Sequence, residues 1–223
     1  ACLDCERGKY TNVAGQASCT DCAAGKYSNT TGLDAESECQ SCTLPGHFCP
    51  PGTTSLDEWK CAIGKYANGT EVSECKICDF GQYQEEKGRD QCKSCPLGKF
   101  LADQGSSPVF HDAQDDCETC GSNSYSDETG QRFCTGCVAD HALQDSGTNE
   151  TLHNNKSQCI LSCAVGKYSK ENTCIDCEKG SRCEGGSIGN VSCAAGSWCD
   201  GFTRVHDCPP GRFGEVDGGK SQE

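Results

Sequence analysis

The chain has 223 residues, 24 of them cysteine, and a formal net charge of −14. Leu, Ile, Val and Phe together supply 29 residues, about 13%, where a share below roughly 20% with high net charge leaves a chain unable to fold on apolar burial alone. One large globule is thereby excluded, and cysteine at about 11% points to disulfides in place of a core. The acidic balance argues against nucleic acid and anionic membrane as partners, since both call for Lys and Arg patches.

Residues 1–60 introduce a repeat. Cys5-Glu-Arg-Gly-Lys-Tyr10 is followed by Cys22-Ala-Ala-Gly-Lys-Tyr27, and a further unit opens at Cys42. Residues 61–116 continue it with Cys61-Ala-Ile-Gly-Lys-Tyr66, Cys78-Asp-Phe-Gly-Gln-Tyr83 and Cys95-Pro-Leu-Gly-Lys-Phe100. In residues 117–162 the unit from Cys120 keeps Tyr125 and loses the glycine, the unit from Cys137 has Ala142 in the aromatic slot, and a long polar insertion follows. Residues 163–223 return to Cys163-Ala-Val-Gly-Lys-Tyr168. They then shorten their loops, with Arg182, Trp198 and Phe213 in the aromatic slot. All six tyrosines of the chain stand five residues after a cysteine. The glycine fits a turn with positive φ or a close backbone approach. The aromatic is the largest apolar surface of its unit and is expected to pack on a neighbouring disulfide. The intervening Asn, Gly, Ser and acidic residues read as turns. The expected fold is small and disulfide-rich: an elongated tandem array of loop-rich modules with short β-hairpins and almost no helix.

Eight Cys-x-x-Cys pairs punctuate the units. If the second cysteine of each opens a loop that the next first cysteine closes, the bridges are Cys5–Cys19, Cys22–Cys39, Cys61–Cys75, Cys78–Cys92, Cys95–Cys117, Cys120–Cys134, Cys137–Cys159 and Cys163–Cys174. Local pairs Cys42–Cys49, Cys177–Cys183 and Cys193–Cys199 complete the set, leaving Cys2 and Cys208 over. Cysteine order alone also fits crossed patterns. Bridges closing loops of about 15 residues stabilise by roughly 3 kcal/mol each in the chain-entropy model.

Cys-x-x-Gly-x-Tyr, a polar loop, then Cys-x-x-Cys resembles the cysteine-rich repeat of ephrin-receptor-like regions. It is similar to the simplest module of tumour necrosis factor receptor ectodomains, whose single bridge joins consecutive cysteines. Long runs of such repeats resemble those of large surface proteins of algae and other protists, including the hairs of flagella (mastigonemes). The resemblance implies an extracellular or cell-surface location and a structural role in a fibre, coat or flagellar hair. The alternative it implies is a ligand-binding or adhesive receptor ectodomain, binding through the long loops after Cys95 and Cys137. Other protein chains and N-glycans are the expected partners.

Five Asn-x-Ser/Thr sequons, at Asn29, Asn68, Asn149, Asn155 and Asn190, agree with passage through the secretory pathway. No run of about 20 apolar residues is present to insert into a membrane. With no methionine and a stop in mid-repeat at Glu223, the chain reads as a piece of a longer protein.

Catalytic and metal readings fare worse. Cys-x-x-Cys pairs are zinc half-sites, but the cysteines outside such doublets (Cys49, Cys61, Cys183, Cys193, Cys199 and Cys208), the sequons and the fixed Gly-aromatic spacing favour disulfides. Redox chemistry at that motif needs a helix N-terminus, and none is placed here. Gly185-Gly186-Ser187-Ile188-Gly189 matches a nucleophile elbow in letters only, lacking the strand and helix around it. The histidines His47, His111, His141, His153 and His206 read as solvated loop residues. Asp112, Asp115, Asp116 and Glu118 lack the spacing of a calcium loop. Trp198 fills the aromatic slot, whereas Trp59 stands outside it and could anchor a partner. The expectation is no enzyme and no cofactor.

Overall fold

The computed structural model describes residues 2–143, 147, 149–171, 173–178, 180–185, 191–199 and 205–208. The chain divides into two compact units, one of residues 1–119 with 128–134 and one of residues 120–127 with 135–223. No α-helix occurs among the described residues; the regular structure is ten two-stranded antiparallel hairpins and a few single 3₁₀ turns.

Each hairpin has the same origin. A cysteine opens the module, and three residues later the chain takes a left-handed turn. The next residues form a strand, the loop runs out and returns, and a second strand of the same length pairs with the first; the strands are two residues long except in the modules from Cys163 and Cys193, where they are four and three. In the module from Cys5, Lys9–Tyr10 pairs with Thr20–Asp21. In those from Cys22, Cys61 and Cys78 the partners are Lys26–Tyr27 with Gln40–Ser41, Lys65–Tyr66 with Lys76–Ile77, and Gln82–Tyr83 with Lys93–Ser94. The module from Cys42 has one residue more before its strand and keeps only a bridge, His47 to Lys60. The next cysteine's N–H closes the turn on the left-handed residue's carbonyl, as Cys22 does on Gly8 at 2.8 Å and Cys95 on Gly81 at 2.8 Å. Two-residue strands are far too short to be stable by themselves, so this closure and the bridge below it hold the module.

The bridges join consecutive cysteines: 5–19, 22–39, 42–49, 61–75, 78–92 and 95–117 in the first unit, and 137–159, 163–174, 177–183 and 193–199 in the second. Their Cα–Cα distances span 5.5 Å at Cys163–Cys174 to 6.1 Å at Cys42–Cys49, within the ordinary range for a disulfide. Cys120 and Cys134 are bridged as well, and Cys2 and Cys208 are free.

In the first unit successive modules are sewn together by three kinds of backbone hydrogen bond. The left-handed glycine N–H donates to the carbonyl just after the next module's aromatic: Gly8 to Ser28 at 2.9 Å, Gly64 to Gln84 at 2.7 Å and Gly81 to Leu101 at 2.9 Å. The residue after the aromatic donates into the next loop, as Thr11 to Leu33 and Ala67 to Arg89. The next loop donates back to the opening cysteine's carbonyl: Gly32 to Cys5, Gly52 to Cys22, Glu71 to Cys42 and Gly88 to Cys61, all between 2.8 and 3.0 Å. Each such bond nets about 0.5–1.5 kcal/mol, so a seam of three outweighs any single side-chain contact on it.

The aromatic slot adds the apolar part. Tyr83 packs in a buried cluster with Leu101 and the Cys95–Cys117 bridge of the following module, and Tyr10 packs against Leu33 and the Cys22–Cys39 bridge. Where the slot holds Ala142 or Arg182, the hairpin survives: His141–Ala142 pairs with Ile160–Leu161 and Ser181–Arg182 with Val191–Ser192. The backbone turn and the bridge, not the ring, therefore define the module.

Candidate functional site

Histidine gives the largest departure from the reading of the sequence. His111 and His153 are fully buried and His47 nearly so, where solvated loop positions are expected. His111 lies in the long loop of the module from Cys95, on the turn that ends the 3₁₀ segment Pro108–Phe110. Its Nδ1 donates to the Gln82 carbonyl at 2.7 Å, and its own carbonyl accepts from the Gln84 N–H at 2.7 Å. It thus clasps both sides of the preceding module's strand, Gln82–Tyr83. His153, after the 3₁₀ segment Glu150–Leu152, repeats this: Nδ1 to the Ser124 carbonyl at 2.7 Å and carbonyl from the Ser126 N–H at 2.8 Å. A loop of this length has too few apolar residues to dock by burial. The imidazole supplies a ring to bury and a donor to satisfy a strand carbonyl at once. The signal was present in the sequence: both histidines stand six residues before the cysteine that closes their loop, Cys117 and Cys159.

The other ring nitrogen of His111 lies 2.8 Å from Asp103 Oδ2. Ser106 donates its hydroxyl to Asp103 Oδ1 at 2.6 Å and its N–H to Oδ2 at 2.8 Å. The Ser106 hydroxyl first, then the His111 ring and the Ser106 N–H, hold the Asp103 carboxyl down to about 2. Ser, Asp and His meet here, yet the carboxylate stands between hydroxyl and imidazole. A nucleophilic relay needs the imidazole in the middle, and this imidazole is sealed from solvent. The constellation is a structural latch.

The acidic cluster beside Cys117 is also partly consumed by local structure. Asp116 accepts the Ala113 N–H at 2.9 Å, while Asp115, Asp116 and Glu118 border an open groove with the exposed Phe110. No group of three or more potential metal ligands occurs among the described residues.

Surface aromatics form two small sites in the first unit. Trp59 is 43% exposed, and its ring lies 5.9 Å from that of Phe48. The Arg132 guanidinium stands 5.5 Å from the Phe80 centroid and 5.0 Å from that of the exposed Phe133. In the second unit Trp198 stacks on His206, centroids 4.3 Å apart.

Four sequon asparagines, Asn29, Asn68, Asn149 and Asn155, have exposed side chains; Asn190 and the segment 186–189 lie outside the described residues. Asn29 and Asn68 occupy one slot, two residues after the aromatics Tyr27 and Tyr66, where the chain leaves the seam. Asn149 and Asn155 cap the two 3₁₀ turns of the loop from Cys137: Asn149 Oδ1 accepts from the Thr151 hydroxyl at 2.7 Å, and Asn155 Oδ1 from the Ser157 N–H at 2.8 Å.

Residues 1–39 and 64–109 match the family model described as tyrosine-protein kinase ephrin type A/B receptor-like. Over these two segments the chain is similar to ephrin-receptor-like cysteine-rich repeats. A search of the curated proteins finds no match. Ephrin-receptor-like repeats are non-catalytic modules of extracellular domains, in keeping with the dense disulfides here. The same turn, hairpin and bridge continue through the modules from Cys137, Cys163, Cys177 and Cys193, beyond the matched ephrin-receptor-like segments. No helix among the described residues is long and apolar enough to cross a membrane.

Proposed function

We propose that this chain is a structural segment of an extracellular glycoprotein assembly: a fibre, a coat or a flagellar hair. The observation that carries this reading is the seam of the first unit. Its hydrogen bonds use backbone groups alone, so every module offers the next the same surface whatever its loop sequence. Loops are then free to vary in length, from 6 residues of separation at Cys177–Cys183 to 22 at Cys95–Cys117, without disturbing the hairpins. Covalent closure of every module resists proteolysis and pulling, since local opening exposes little new chain. The net charge of −14 keeps such a surface soluble and self-repelling until specific lateral contacts form. Other chains of the assembly and the N-glycans are its partners.

Electron microscopy of the protein isolated from its native source without reductant tests the reading. Regular filaments or sheets containing the chain support it. Membrane-tethered molecules with no lattice overturn it in favour of a receptor or adhesive ectodomain, for which Trp59 and the Phe80–Arg132–Phe133 stack are the first residues to substitute.

A further inference from the structure

The loop of the module from Cys137 does more than cap its own turns. Asn155, Lys156 and Ser157, a complete sequon, border a groove of about 480 Å³ whose remaining walls include Tyr125, Val138 and His141. That volume falls within the range of small-ligand sites, which are mostly apolar with a few placed polar groups. Here the apolar part is supplied by Val138, 57% exposed, and by Tyr125, which line the same groove. His141 spends Nδ1 on the Ala139 carbonyl, leaving its Nε2 for a hydroxyl. The Asn155 amide is held by the turn it caps: Oδ1 accepts the Ser157 N–H, so Nδ2 is the atom left for attachment.

We infer that Asn155 bears an N-linked glycan whose first N-acetylglucosamine lies in this groove against Val138, His141 and Tyr125. The inference rests on the reading of the chain as a secreted glycoprotein. In the attachment step Nδ2 loses a proton and bonds to C1 of the sugar. The bond between C1 of the donor oligosaccharide and the oxygen of its polyprenol pyrophosphate breaks, and the lipid pyrophosphate leaves with the electron pair, its charge balanced by the proton released from Nδ2. The sugar then covers an exposed valine that the module itself leaves bare. It adds an apolar contact where the Ala142 module lacks its slot aromatic.

The test begins with the full chain secreted from eukaryotic cells and glycopeptide mass spectrometry at each sequon. The glycans are then trimmed enzymatically to the first sugar, and nuclear Overhauser contacts are sought between its acetyl methyl and the Val138 methyls. Melting of the trimmed protein is compared with Ser157→Ala, which removes the sequon and keeps the asparagine. The expected result is an occupied Asn155, acetyl-to-Val138 contacts, and a melting temperature about 2–4 °C above Ser157→Ala; the gap closes in Val138→Ser. Other sequons occupied with Asn155 bare, or an occupied Asn155 with no Overhauser contacts and no melting difference, overturns the inference and leaves the glycoprotein reading standing. No sugar at any sequon overturns both.

Discussion

The two units are made of one module yet fill its turn differently. In the first, the left-handed position is glycine throughout: Gly8, Gly25, Gly46, Gly64, Gly81 and Gly98 all have φ between +67° and +85°. In the second, Asn123 and Asp140 hold it at +58° and +63° before glycine resumes at Gly166. Asn and Asp tolerate this region better than other side chains because their short polar groups can bond locally; Asn123 Oδ1 instead accepts from the Leu143 N–H across the loop. The module therefore asks for a left-handed residue, which three residue types satisfy. The first unit adds a second demand. A Cβ on Gly8, Gly25, Gly46, Gly64 or Gly81 would overlap a backbone carbonyl of the next-but-one module, respectively that of Gly52, Glu71, Gly88, Pro108 and Gly130. The packing thus reaches two modules along, further than the nearest-neighbour contact expected of a repeat array. Only glycine meets both demands.

Adding that Cβ has the largest expected effect. Gly81→Ala meets left-handed strain of about 1–2 kcal/mol together with overpacking of about 1–3 kcal/mol against the Gly130 carbonyl. A loss of about 3–4 kcal/mol, or secretion with scrambled disulfides, is expected. The converse change, Asn123→Gly, relieves strain and gives up the Leu143 bond, so it should stay within about 1 kcal/mol of the parent. Equal sensitivity at the two sites by thermal denaturation would refute the two-demand account.

Bridge removal separates the units next. The chain-entropy model gives about 3.4 kcal/mol for a 22-residue loop and about 2.2 kcal/mol for a 6-residue one. Removing Cys95–Cys117 of the first unit by double alanine substitution should therefore cost about 1 kcal/mol more than removing Cys177–Cys183 of the second, whose separations are 22 and 6. Denaturant midpoints for the two variants measure the difference.

The histidine clasp ranks third. His111→Ala empties a fully buried site and leaves the Gln82 carbonyl without its donor, a loss of about 2–3 kcal/mol. His111→Gln keeps a donor and should recover about half. Amide exchange at Gln84, whose N–H is held by the His111 carbonyl, reports the clasp directly, and an unchanged rate in His111→Ala would show that the ring does not hold the loop.

These cases also show what the sequence could and could not convey. The module was legible because its determinants are local: cysteine, turn residue and aromatic recur at fixed offsets, and hairpins follow from a left-handed turn closed by the next cysteine. The carbonyl contact behind Gly46 or Gly81 was not legible. It depends on the rise and twist from one module to the next, which no single repeat encodes. A lone His111 in a polar loop looks solvated, because its burial comes from a strand 29 residues earlier. Only the matched spacing of His111 and His153 from their closing cysteines betrays it. The sequons were legible as motifs, but that Asn155 borders a groove with Val138 is a matter of how the loop folds back.

Acid gives the smallest effect and the most specific. Asp103 in the first unit accepts from Ser106 twice and lies against His111, and its carboxyl is held at about 2 against roughly 3.9 for an unperturbed aspartate. A carboxyl with a lowered folded value contributes stability that is fully present above the unfolded value and lost as pH falls through the folded one. The latch should therefore hold above about pH 4 and release progressively as pH falls through about 2. Its side chain is 25% exposed, so solvent screens the contribution and the shift in melting temperature should be modest. Amide exchange at Gly105, which faces His111 Nε2 at 3.3 Å, should accelerate over that window after correction for intrinsic rates. Asp103→Asn keeps an acceptor without a titrating charge and should lose the pH dependence in the same window. If both proteins open in parallel, the acid response belongs to the general loss of the surface carboxylates and not to the latch.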